Sequence, residues 1–158
     1  MNRFAFLLCI ALSWGKPAHA NKITDFYEIE NVSPPELLLQ RYGNSRGGQG
    51  TQTDGLDFMP DGRLVACFVG GEVFTLNPKT GKWKLFADGL HTPLGVVALN
   101  DHEVMVSQRP ELTRLKDSDG DGVADEYSAF SDDFGVSGNY HEFHFGPVRD
   151  KDGNFYVS

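Results

Sequence analysis

The chain has 158 residues, 14 basic against 22 acidic, a formal net charge of −8 and only two cysteines. Residues 1–20 hold two basic residues, Arg3 and Lys16, and no acid, so the remainder carries 12 basic against 22 acidic residues and a net charge of −10. That balance argues against nucleic acid and anionic membranes as partners, and two cysteines leave no room for a disulfide framework.

Residues 1–20 read as a secretory signal. Arg3 gives the charged start, Phe4 to Trp14 is mostly apolar, and Ala18-His-Ala20 is a small-x-small cleavage site. The apolar run is too short to span a bilayer, and no other segment is long and apolar enough. The chain is therefore expected to be exported, to the periplasm or outside the cell, and to start near Asn21. Cys9 leaves with the signal, and Cys67, in an apolar stretch, reads as a buried core thiol.

Residues 21–54 read as a lead-in. Tyr27-Glu-Ile-Glu30 has the composition of a strand, Glu36 to Tyr42 is the one short helix candidate, and Asn44 to Gln52 is a polar, Gly-rich loop. From residue 55 the sequence repeats. Gly55-Leu-Asp-Phe-Met-Pro60 resembles Gly95-Val-Val-Ala-Leu-Asn100, and Gly62 to Phe68 resembles His102 to Gln108, both at an offset of 40 residues. Glu72 to Leu76 resembles Glu111 to Leu115 one residue closer. A third unit begins at Glu142-Phe-His-Phe-Gly-Pro147 and continues through Asp152-Gly-Asn-Phe-Tyr-Val157.

Turn signals at Asp61-Gly62, Asn77-Pro78, Thr80-Gly81 and Asp152-Gly153 split the units into short β-favouring runs. Strands are predicted at 55–59, 63–69, 72–77 and 83–87, then at 95–99, 103–108, 111–116 and 126–130. Four short strands in a period of about 40 residues are the mark of a β-propeller blade. Residues 55–158 hold two blades and part of a third. A ring needs at least four, so the chain is expected to be the N-terminal piece of a longer protein, or one of several chains that complete a ring.

Asp117-Ser-Asp-Gly-Asp-Gly-Val-Ala-Asp-Glu126 crowds carboxylates into one short run, at an electrostatic cost that a cation would relieve. Alternate oxygen ligands with a glycine at the turn suit calcium. Asp117, Asp119, Asp121, the Val123 carbonyl and Asp125 are the ligands the spacing gives. Ser128 stands where an EF-hand wants its bidentate Glu, and strands rather than helices flank the run. The expectation is a calcium loop spliced between two strands, pinning a blade; a solvated acidic turn is the alternative.

Gly138-Asn-Tyr-His-Glu-Phe-His-Phe-Gly146 is the second candidate site. His141 follows a glycine-bearing loop and precedes the first strand of the third unit, where propeller loops surround the central funnel. A histidine there can serve as general base near neutral pH. His141 and His144, three apart in a strand, face opposite sides and do not form a metal pair. Both also fit a surface or packed polar role. Arg109, in Gln108-Arg109-Pro110, either holds an anionic group or caps a turn. His91 and His102 have no supporting neighbours in sequence.

Gly55 to Leu64, Lys116 to Glu126, and Gly138-Asn-Tyr-His-Glu-Phe143 followed by Phe145-Gly-Pro147 resemble the glucose/sorbosone dehydrogenase-like propellers. The resemblance is greatest to the large exported proteins of planctomycetes and related bacteria labelled membrane-bound dehydrogenase domain proteins, many with a C-terminal c-type haem domain. It implies a six-bladed propeller that oxidises a small sugar or alcohol using pyrroloquinoline quinone (PQQ) and calcium. It gives His141 the role of base and puts the family's quinone-clamping residues beyond Ser158; Gln108 and Arg109, where the chain leaves the second strand of the second blade, are the candidate cofactor-binding residues within it. It implies a c-type cytochrome as electron acceptor and a haem domain beyond this chain, and it makes this piece inactive alone. A non-catalytic propeller that binds carbohydrate or protein is the alternative. A lactonase-type calcium propeller needs its calcium ligands in the funnel, and the Asp117 loop lies between outer strands.

Overall fold

The computed structural model describes residues 30–43, 51–139 and 141–158. The signal segment, Tyr27 to Ile29 of the expected lead-in strand and residues 44–50 of the expected loop lie outside these residues; Glu30 is in no strand. The chain divides into Met1–Val32 and Ser33–Ser158, and every described helix and strand belongs to the second unit. Among the described residues no helix is long and apolar enough to cross a membrane.

Helix α1 spans Glu36–Tyr42, as its sequence suggests. Pro35 precedes it, where a missing amide is harmless, and Glu36 and Arg41 lie at the dipole ends that favour them. Gly43, at φ 72°, ends it, its amide returning to the Leu39 carbonyl at 2.9 Å.

The rest is antiparallel β. Strands β1 (Thr53–Phe58), β2 (Leu64–Phe68), β3 (Val73–Asn77) and β4 (Lys82–Ala87) form one four-stranded meander. Strands β5 (Gly95–Asn100), β6 (Glu103–Gln108), β7 (Glu111–Lys116) and β8 (Glu126–Ser131) form a second with the same order. Strands β9 (Val148–Arg149) and β10 (Phe155–Tyr156) make a hairpin, lengthened by the paired main chains of Phe145 and Ser158 at 2.9 and 3.0 Å. The observed strands of the two meanders fall within two residues of the expected ones. Gly62 and Gly81 take positive φ in the turns that the Asp-Gly and Thr-Gly pairs signal.

Period-two alternation sends successive side chains of a strand to opposite faces, and β2 and β3 are apolar on both. Val65, Cys67, Val73 and Phe86 of the first sheet meet Val96, Val104, Val106 and Leu115 of the second in one buried cluster. Cys67 is fully buried in it, and burial pushes its thiol up to about 12, so it is inert packing. The far face of the first sheet carries Ala66, Phe68 and Phe74, with Trp83 beside them, and α1 covers these with Leu37 and Leu38. The three rings stack edge-to-face at 5.7, 6.2 and 6.3 Å, and the Trp83 indole donates to the Ser33 carbonyl at 2.8 Å.

A charged clasp locks the helix there. Buried Glu72 accepts from Arg41 at 2.7 Å and from the Tyr42 hydroxyl at 2.9 Å, and Arg41 also pairs with Asp88 at 2.8 Å. Leu56 and Phe58 of β1 stay exposed.

The units meet through glycines. A Cβ on Gly55 would lie 2.5 Å from the Gly95 Cα, and one on Gly95 would lie 1.5 Å from the Gly146 carbonyl oxygen. Strands β1 and β5 and the chain just before β9 thus approach backbone to backbone, closer than any side chain allows. Asp57 reinforces the first contact, accepting from the Ala98 amide at 2.8 Å. Gly95→Ala is expected to cost about 3 kcal/mol, the upper end for forcing one methyl group into a packed interior. Gly135→Ala, with nothing within 4 Å of its added carbon, should change stability by less than about 0.5 kcal/mol. Urea unfolding of the two variants checks the contrast.

Candidate functional site

The acidic run becomes the loop from β7 to β8. Residues 103 and 116 pair across β6 and β7, so His102 and Asp117 meet just beyond the ladder. Asp117 is buried, and its amide donates to the His102 carbonyl at 2.8 Å. Its carboxylate accepts from the Gly120 amide at 2.8 Å and the Gly122 amide at 2.9 Å, and lies 3.1 Å from His102 Nδ1. Gly120 and Gly122 both have φ near +80°, which turns their amides inward. Asp119 and Asp121 repeat the device, accepting from the amides of Asp121 at 3.1 Å and Val123 at 2.8 Å.

Asp117, Asp119 and Asp121 can each offer an oxygen such that all three lie within 4.8 Å of one another. Among the expected ligands these are the ones brought together. Asp125 points instead at Ser118, accepting from its hydroxyl at 2.6 Å and its amide at 3.0 Å, contacts that hold its carboxyl below the usual range.

The loop also reaches the first sheet. The Ala124 amide donates to the Phe86 carbonyl at 2.6 Å, covering the edge of β4, and the Lys84 ammonium donates to the Asp121 carbonyl. Nothing in a one-dimensional reading singles out Lys84. His102 could have been found: once 103–108 and 111–116 are taken as a tight hairpin, position 102 falls opposite 117.

The histidine segment packs on the end of β6. His144 is half-buried: its Nδ1 lies 3.0 Å from the Arg109 carbonyl, its ring meets Phe134 at 4.5 Å, and its own carbonyl accepts from the Ser107 hydroxyl at 3.2 Å. His144 is therefore a packing residue. His141 is exposed, with its amide donating to Asn139 Oδ1 at 3.1 Å. It lines an open depression of about 500 Å³ with Gly135, Val136, Ser137, Glu142 and Phe143. Ser137 holds the Glu142 carboxyl below its usual range, its amide donating at 3.0 Å.

Gln108 is turned inward. Its Oε1 accepts from the His91 amide at 2.6 Å and its Nε2 donates to Thr113 Oγ1 at 2.6 Å, so its amide is spent on the fold and is not presented to a cofactor. Arg109 Nη2 donates to the Asn139 carbonyl, and its Nε is buried with no hydrogen-bond partner among the described residues. Both expected cofactor-binding residues are thus engaged with the chain itself, Gln108 with His91 and Thr113 and Arg109 with Asn139.

Burial works to raise the Asp117 carboxyl, but the His102 ring and the Gly122 and Gly120 amides outweigh it and hold it below the usual range. A carboxyl depressed in the folded state contributes stability that is complete above its unfolded value, near pH 4, and is lost as the pH falls through the lower folded value. In metal-free buffer at pH 7, Asp117→Ala should cost about 1–3 kcal/mol, because two loop amides lose their acceptor. It should also flatten the fall in stability below pH 4. Urea midpoints from pH 2 to 7 measure both effects.

Residues 78–158 match the family described as a domain of unknown function, DUF7133, and the chain belongs to that family. The match spans the acidic loop, Arg109 and the histidine segment. No curated protein and no solved structure matches the chain.

Proposed function

We propose that this chain is the N-terminal part of an exported six-bladed β-propeller that acts on a small sugar or alcohol as a hydroxyl-oxidising dehydrogenase, with His141 as the base. The observation that carries the reading is the position of His141. It is exposed beside an open depression, in the segment that leads into the first strand of the third unit. Two meanders of the same strand order, meeting at Gly55 and Gly95, support the propeller. Export rests on Arg3, the apolar run after it and Ala18-His-Ala20.

Calcium fits the acidic loop. Asp117, Asp119 and Asp121 supply hard oxygen donors close enough to share one ion. Its part there is to neutralise the three carboxylates and fix the loop against β4. Val123, through its carbonyl, and Asp125 belong to the wider set of oxygens, Asp125 only on leaving Ser118.

PQQ belongs to this reading through the family resemblance, with the haem domain and the c-type cytochrome acceptor. Gln108 and Arg109 do not fit a quinone clamp, since Gln108 has no free amide atom and Arg109 is bound to the Asn139 carbonyl. What this chain contributes is an imidazole placed to take the proton of a substrate hydroxyl. The same observation favours a second reading, a propeller that binds carbohydrate or protein without turning it over.

Full-length protein, loaded with PQQ and calcium, is to be assayed by dye reduction against a panel of aldoses and alcohols. Turnover that falls about 100-fold or more in His141→Ala is expected of a lost general base. Absent turnover in the wild type, or equal turnover in His141→Ala, would sink the catalytic reading, and sugar binding without turnover would favour the binder. In the same preparations calcium should raise the melting temperature of the wild type and not of Asp119→Ala.

A further inference from the structure

Nine consecutive positions, 135–143, carry no strand or helix among their described residues, and the described ones are exposed. A Cβ on Gly135 or Gly138 would meet nothing within 4 Å. Fixing such a backbone costs conformational entropy that no strand or helix pairing offsets, so its order depends on individual hydrogen bonds.

Ser137, Asn139, His141 and Glu142 bond to one another within the segment, and the β6–β7 turn ties that turn of chain to the rest of the fold. Arg109 is anchored there by its own amide, which donates to the His91 carbonyl at 2.9 Å. Its carbonyl faces His144 Nδ1 at 3.0 Å, at the far end of the segment. Its guanidinium donates to the Asn139 carbonyl, in the middle of it. Asn139 is the hub of the tight turn that carries His141: its carbonyl also accepts from the Glu142 amide at 3.1 Å, and its side chain accepts from the His141 amide at 3.1 Å. The guanidinium charge adds to the Ser137 contacts in keeping the Glu142 carboxyl ionised. The chain of contacts runs from Arg109 to Asn139 to the backbone of His141.

We propose that Arg109 is the positioning residue of the histidine segment: it holds no cofactor but fixes the Asn139 turn, and so the place from which the His141 imidazole meets a ligand. The catalytic consequence of this role rests on the proposed reading of His141 as a base; the positioning itself does not.

The test uses the full-length protein as wild type, Arg109→Ala, Arg109→Lys and His141→Gln. Two signals are read: the carbon-bound imidazole proton resonance of His141, assigned by its loss in His141→Gln, and hydrogen exchange at the His141 and Glu142 amides. In Arg109→Ala, exchange at both amides should rise about tenfold or more, as expected for local opening without global unfolding. The His141 resonance should move toward that of an unstructured peptide while the urea midpoint of the domain changes little. Arg109→Lys, keeping the charge and one donor, should restore part of both signals. Unchanged exchange and an unchanged His141 resonance in a folded Arg109→Ala protein would overturn the proposal. If Arg109→Ala does not fold, Arg109→Gln is read in its place by the same criteria. A protein with no dehydrogenase activity, in which Arg109→Ala still frees His141, defeats the base reading and leaves the positioning role standing.

Discussion

Backbone meets backbone where β1, β5 and the chain just before β9 come together, at Gly55, Gly95 and Gly146, and the rest of the arrangement follows from that approach. Any side chain there would hold the units apart. With the strands that close, the inner faces of the two meanders seal one apolar cluster from Met59 to Ala124. The turn after β6 then falls beside the chain leading into the third unit, which brings Arg109 to Asn139 and Ser107 to His144. The loop after β7 falls on the edge of β4, which brings Ala124 to Phe86. Both candidate sites are thus seams between units rather than features of one sheet.

The two sites use their polar groups differently. In the acidic loop Asp117, Asp119 and Asp121 each accept main-chain amides of the loop itself, so the loop has a defined shape set by its own backbone, and the three clustered oxygens come with it. The histidine segment has turn contacts of its own but is tied to the sheet from outside, by the Arg109 guanidinium and the Ser107 hydroxyl. The first arrangement suits a rigid staple and the second a surface that presents a side chain. Calcium chemistry and hydroxyl oxidation are proposals built on that difference and on the family resemblance, and they stand or fall separately.

Much of the fold was legible in the sequence because its signals are local. Asp61-Gly62 and Thr80-Gly81 dictate turns, and the 40-residue offset between Gly55 and Gly95 marks equivalent strands. Even α1, seven residues long, is announced by Pro35 before it and Gly43 after it. The site was less legible because its partners are distant in sequence. Lys84 reaches Asp121 across 37 positions and Arg109 reaches Asn139 across 30. Nothing in the sequence around Gln108 reveals that His91 and Thr113 engage its amide. The spacing that makes Asp125 a candidate ligand says nothing of Ser118, seven residues back, which meets both of its oxygens. Buried Glu72 with Arg41 and Tyr42, which locks α1 to the first sheet, left no trace in any local pattern.

In the proposed propeller the glycine contacts set successive units around a common centre and turn the His141 segment toward it. A crystal structure of the full-length protein tests this most directly. The expected result is a closed ring of six four-stranded units, with Leu56 and Phe58 covered by the last of them and His141 at the mouth of the central channel. An open stack, or a ring with His141 on its outer wall, would contradict it.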